Sequence, residues 1–132
     1  LIKAPNLYWA DTGLGSYQAR LADARPVPGS LLENLLLVQM ESWRERQTPR
    51  PELGYWRTAS GQEVDFTLSR GRRWVPLEVK VGSRVGPEDT KGLEAFLEEY
   101  PGEAPLGVLL YGGTEPLLLS ERIAAVPIAA AL

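Results

Sequence analysis

The chain has 132 residues with no histidine and no cysteine, which removes a Ser-His-Asp triad, a thiol nucleophile, an imidazole base, a thiolate zinc cage and any disulfide. Seventeen acidic against fourteen basic side chains leave a net charge of -3, which argues against indiscriminate nucleic-acid binding but allows a local basic patch. The length and the 44% hydrophobic content suit one compact domain whose chemistry must come from carboxylates, lysine, hydroxyls and oxygen-liganded cations.

Residues 7–10 form a short apolar stretch, and Asp11-Thr12 offers an N-cap for a weak helix reaching about Leu21, followed by a loop over 23–28 with two prolines. Apolar Leu31, Leu32, Leu35, Leu36, Val38, Met40 and Trp43 then predict a helix over about 30–46, ended by Pro49 and Pro51. Ser30 with Glu33 three residues on has the form of a capping box. Tyr55-Trp56-Arg57-Thr58, residues 63–68 and residues 74–81 read as three strands of a meander, separated by turns at Ser60-Gly61 and Arg70-Gly71-Arg72. Gly86-Pro87 opens a second helix with Leu93, Phe96 and Leu97 on one face, Glu88 and Asp89 near its positive end, and a stop near Tyr100-Pro101-Gly102. Residues 106–111 read as a strand buried on both faces, and the tail over 117–119 and 123–128 adds one or two short edge strands. The order α, β, β, β, α, β predicts an α/β (α+β) fold with a mixed central sheet flanked by helices. No apolar run approaches the roughly 20 residues that span a bilayer and no signal-peptide shape is present, so the chain reads as cytoplasmic and free of membrane.

The hairpin between Glu63 and Val81 allows a register to be derived. If Gly71-Arg72 is a two-residue loop, Arg70 pairs with Arg73 and Asp65 lies opposite Glu78, with Cβ atoms about 5 Å apart. Lys80 follows on the same face about 7 Å along. The other face carries Val64, Phe66 and Leu68 against Val75, Leu77 and Val79, an apolar set that fixes the register. Two opposed carboxylates with a neighbouring lysine suit a hard cation, Mg²⁺ or Mn²⁺, with the lysine acting on the attacking water. The competing reading is a solvated hairpin face with alternating charge.

The run Glu63-Val64-Asp65-Phe66, followed after a turn by Leu77-Glu78-Val79-Lys80, resembles the PD-(D/E)XK nuclease superfamily, and the αβββαβ order resembles its restriction-endonuclease-like core. Residues 3–14, Gly29-Ser30-Leu31-Leu32-Glu33-Asn34 and Tyr55-Trp56-Arg57-Thr58 resemble the uncharacterised C-terminal domain of a group of prokaryotic AAA-type ATPases. The resemblance implies that Asp65 and Glu78 are metal ligands, that Lys80 is the catalytic lysine, and that Glu33 is a further acidic ligand. Glu33 retains its other reading as the capping-box acid. Val64 stands where the superfamily's name has proline, and no Walker A sequence occurs, so no ATPase activity resides in this chain. The resemblance makes the chain, which begins at Leu1, the C-terminal end of a longer protein with an N-terminal ATPase domain as partner.

Five cations against Glu78 give residues 70–84 a net +4, and Arg57, Arg72, Arg73 and Arg84 are the candidates for contact with a nucleic-acid backbone. A solvated turn is the competing reading for that patch, and Trp56 and Trp74 read as sheet packing. Residues 88–103 carry six acids against Lys91, so any nucleic-acid surface must be one-sided. The expected function is Mg²⁺-dependent hydrolysis of DNA phosphodiesters. The alternative is a catalytically silent module that docks a partner or regulates an attached ATPase, and a homodimer using the tail from Ile123 as an edge is compatible with either.

Overall fold

The computed structural model describes residues 29–131, so the expectations for residues 1–28 lie outside the described residues. The elements run α1 (Gly29–Arg44), β1 (Glu52–Arg57), β2 (Glu63–Arg70), β3 (Arg73–Lys80), a single 3-10 turn (Pro87–Thr90), α2 (Lys91–Glu99), β4 (Gly107–Tyr111), β5 (Leu117–Leu118), β6 (Ile123–Pro127) and α3 (Ile128–Ala131). The strands form one six-stranded sheet in the order β1-β2-β3-β4-β6-β5. β1, β2 and β3 are antiparallel neighbours, while β3, β4 and β6 run parallel, so the sheet is mixed. The αβββαβ order therefore stands, and the fold is α/β with helices flanking the sheet.

The β2–β3 hairpin follows the derived register from Arg70↔Arg73 to Phe66↔Leu77. Gly71 takes φ 61, the left-handed conformation a two-residue hairpin loop demands and a Cβ would penalise. Two expectations fail at the far end of this hairpin for one reason. β1 pairs Gly54 with Thr67 and then Trp56 with Val64, so β2 carries one extra residue and both Asp65 and Phe66 lie across from Tyr55. A bulge of this kind reverses the alternation of side chains beyond it. Val64 accordingly leaves the face of Phe66 and packs with Leu93 and Phe96 on the opposite side of the sheet.

The two sheet faces bury separate cores. On one, Leu36 of α1 meets Phe66, Leu77, Val79 and Leu110, with Ile128 of α3 closing the layer. On the other, Leu93, Phe96 and Leu97 of α2 meet Val64, Leu109, Tyr111 and Ile123. Trp56 and Trp74 serve this second core as sheet packing: Trp56 meets Phe96 edge-on at 5.3 Å, and Trp74 stacks on Tyr100 at 5.6 Å. The tail does not form an outer edge at residue 123. β6 lies inside the sheet between β4 and β5, which removes the proposed dimerising edge, and the chain then turns into α3. The apolar residues of β6 are internal because both of its flanks are paired, leaving the two-residue β5 as the rim.

Gly92 sets the distance between α2 and the sheet. A Cβ at this position would overlap the carbonyl oxygen of Glu63, so the helix can lie this close to the start of β2 only without one. Helix propensity alone would make Gly92→Ala stabilising by about 1 kcal/mol. The overlap reverses the sign, and urea denaturation should show a net loss of about 1–3 kcal/mol. Gly102→Ala, where a Cβ meets nothing, should leave the midpoint unchanged.

Candidate functional site

The extra residue in β2 also shapes the charged end of the hairpin. The β2–β3 ladder stops at Phe66↔Leu77, one pair short of an Asp65–Glu78 pairing. Asp65 Oδ2 takes over by accepting the backbone N–H of Val79 at 2.8 Å. A side-chain acceptor thus replaces a ladder carbonyl, satisfying a buried-strand amide that would otherwise be left unpaired. Glu78 sits beside it on β3, and its Oε2 is buried without a hydrogen-bond partner. Lys80, at the end of β3, places Nζ 3.6 Å from Glu78 Oε1 and 4.0 Å from Asp89 Oδ1.

Ser30 is already helical in α1, which removes it as an N-cap and with it the capping-box reading of Glu33. Glu33 is instead half-buried within electrostatic reach of Asp65, Glu63 and Lys80. Burial raises its carboxyl above the ordinary range, the charges of Asp65 and Glu63 add to this, and Lys80 offsets part of it. Asp65 is raised as well, chiefly by burial, against the Val79 amide and the cations Lys80 and Arg57. Glu78 is pushed up to about 7 by burial first and the Asp65 carboxylate second, with Lys80 and the Asp65 backbone amide opposing. Three carboxylates from α1, β2 and β3 are therefore each destabilised as anions, and Lys80 acts on all three.

The other basic candidates divide. Arg57, at the end of β1, binds Glu63 through Nε at 3.0 Å and lies over the Tyr55 ring at 5.7 Å. It is near enough to act on Asp65 but already has a carboxylate of its own. Arg84 is exposed in the loop that follows Lys80. Arg72 and Arg73 are at the hairpin turn, the opposite end of β3 from Lys80, which is about 20 Å of extended strand. The basic run of residues 70–84 is thus split between two ends of the sheet. Two residues of the site were missed in the sequence. Glu63 is legible in hindsight from its register opposite Arg57. Asp89 reaches Lys80 only because the 3-10 turn folds back over the strand end, where its Oδ2 also accepts the Gly86 N–H at 2.8 Å.

Among the described residues, no three carboxylates stand close enough to hold one cation between them. The donors nevertheless suit a hard divalent ion, since all are carboxylate oxygens and one buried oxygen of Glu78 is unsatisfied. A cation bound by Asp65 and Glu78 would offset the burial cost that raises both and the Asp65 charge that adds to it at Glu78.

A family described only as a domain of unknown function, DUF4143, matches residues 28–131, which takes in every described residue. The chain belongs to the DUF4143 family. DUF4143 domains occur in proteins associated with AAA-type ATPases, which agrees with the narrower of the two resemblances. No curated protein matches the chain. Among the described residues of this DUF4143 domain, no helix is long and apolar enough to cross a membrane.

The raised Glu78 pKa has a sign that stability measurements can read. Because the folded value of about 7 exceeds the ordinary 4.5, the neutral carboxyl favours the fold at low pH, and that contribution is lost as pH rises from about 4.5 through about 7. Glu78→Gln should therefore stabilise the metal-free domain at pH 8 by on the order of 2–3 kcal/mol and change little near pH 4.5. Thermal unfolding in chelator at the two pH values checks this.

Proposed function

We propose that this DUF4143 domain is a divalent-metal-dependent phosphodiesterase acting on DNA, with Asp65, Glu78 and Lys80 as its working residues. The observation that carries the reading is the meeting, where β2 and β3 part, of two destabilised carboxylates, an unsatisfied buried oxygen on one of them, and a lysine 3.6 Å from the other oxygen of that carboxylate. Maintaining such a cluster costs stability, and uncompensated local cost of this kind concentrates at functional sites.

The roles follow from the chemistry of each group. Asp65 and Glu78 are the residues that would hold Mg²⁺ or Mn²⁺, with Glu33 within electrostatic reach. When bound, the cation supplies Lewis-acid polarisation of a phosphate oxygen and a more acidic water. Lys80 Nζ carries three donors and a full charge beside this position, so it can orient the attacking water and offset the negative charge that develops on the phosphoryl oxygens. Asp89 keeps Lys80 from collapsing wholly onto Glu78 by offering it a second carboxylate. Arg84, exposed just past the strand end, supports the backbone of a substrate approaching from that side.

Calorimetric titration of the metal-free domain with Mn²⁺ should show binding that strengthens from pH 6 to pH 8, because the ion competes with the proton on Glu78. Asp65→Asn should abolish it. Cleavage of plasmid and branched DNA with Mg²⁺ or Mn²⁺ should fall by at least about 100-fold in Asp65→Ala and in Lys80→Ala, a loss of the size associated with removing one electrostatic catalytic group. Cleavage unaffected by both substitutions overturns the reading.

A second reading has its own observation. The carboxylates do not already form a three-donor set among the described residues, and Arg57 is committed to Glu63. These favour a module that keeps the nuclease-like layout without its chemistry and serves an AAA-type ATPase as a docking or regulatory domain. Absence of Mn²⁺ binding at millimolar ion supports this module.

A further inference from the structure

The arginines that the fold carries away from the carboxylate site border a different feature. On the α1 face of the sheet, Trp43 and Leu68 stand between two open hollows of about 380 Å³ and about 330 Å³. Met40 lines the larger and Val75 the smaller, so both floors are mainly apolar. Trp43 is 41% exposed, a large aromatic left in water at the centre of this surface. Each hollow has room for one or two apolar side chains, and neither is filled by a described residue.

The charge around the hollows is one-sided. Arg46 borders the larger, and Arg70 and Arg73 border the smaller. All three are exposed, and among the described residues none has a carboxylate within ion-pair distance. Their neighbours behave differently. Arg44 binds Glu41 at 2.5 Å and Arg50 binds Glu45 at 2.5 Å, so these two acids of α1 and the turn after it are already engaged. Arg70 and Arg73 are moreover directly opposed across the hairpin, an arrangement in which like charges repel. A ligand bringing carboxylates to this rim would relieve that repulsion while its apolar groups covered Trp43.

We propose that this groove is a docking site for an acidic amphipathic segment of a partner protein, with two apolar anchors seated on either side of Trp43 and carboxylates paired to Arg46, Arg70 and Arg73. An exposed tryptophan flanked by pockets and ringed by arginines is the residue make-up of an interface centre. A nucleic-acid backbone fits less well, because its phosphates would gain the arginines but leave the apolar floors uncovered. The surface centres on Trp43 in the C-terminal half of α1 and on the turn end of the hairpin, and Glu33 lies about 15 Å from Trp43 along the same helix. Docking here therefore leaves the carboxylate cluster open, and the proposal does not depend on catalysis at that cluster.

The test is selection of a random peptide library of about 16 residues against the whole chain, followed by fluorescence titration of the enriched peptides. Enriched sequences should carry paired Leu, Phe or Trp anchors with net negative charge. Their affinity should drop by about tenfold or more in Trp43→Ser, and as much in the double variant Arg70→Glu/Arg73→Glu, whose exposed positions leave the fold intact. It should also weaken with salt, and circular dichroism should show both variants folded. Four results overturn the proposal: no enrichment; enriched peptides that are neutral or basic; peptides that bind the double variant as tightly as the original chain; or occupancy of the groove by something else. The last would show as self-association abolished by Trp43→Ser in sedimentation, or as binding of a single-stranded oligonucleotide with the same residue dependence.

Discussion

The hydrogen bond from the Val79 amide to the Asp65 carboxylate is the contact around which the carboxylate-rich end of this domain is arranged. It exists because β2 carries one residue more than β1 can pair, so the ladder with β3 ends at Phe66↔Leu77 and an amide on β3 needs another acceptor. Once a carboxylate fills that role, it is anchored in the sheet rather than waving in solvent. The same extra residue turns Val64 toward α2, which ties the second helix to the start of β2 and presses Gly92 against the Glu63 carbonyl. One local irregularity thus places Asp65, aligns α2, and brings the β3–α2 connection with Asp89 over Lys80.

Electrostatically the result is a site held under tension. Burial removes water from Glu33, Asp65 and Glu78 and raises all three, and the Asp65 carboxylate raises Glu33 and Glu78 further. Lys80 offsets part of this, but Asp89 competes for it. The apolar cores on both faces, built on Leu36 and Phe66 on one side and Phe96 and Leu93 on the other, supply the stability that lets such a cluster persist. The polarity of the hairpin follows from the same geometry: carboxylates gather where the strands part, and arginines gather at the tight turn.

Much of this was legible in the residues. The Arg70-Gly71-Arg72 turn fixed the hairpin register because a two-residue loop permits one pairing, and the alternation of Phe66, Leu68, Val75, Leu77 and Val79 agreed with it. Helix and strand positions in the described region were readable to within a few residues, since their apolar periods are strong. Val64 was misread because nothing in Glu63-Val64-Asp65-Phe66 marks a bulge, which depends on how many residues β1 offers on the other side. Residues 117–118 do supply an edge strand, whereas residues 123–127 are internal, because a short apolar strand looks the same in sequence whether one or both flanks are paired. Glu33 has two roles open to it in the sequence because a capping box and an inward-facing acid have the same spacing.

By itself, then, the sequence determined the α/β order, the hairpin register and the kind of chemistry available, because these rest on local period, turn stereochemistry and the absence of histidine and cysteine. Only the tertiary structure decided which charges meet. Glu78 and Lys80 share β3, but Glu33, Asp65 and Asp89 come from three other elements, and the pairings and packing that bring those to Lys80 are properties of neighbouring elements rather than of any one segment. The arginines at positions 70 and 73 were one patch with Arg84 along the chain, and became part of a separate surface because an extended strand carries its two ends some 20 Å apart.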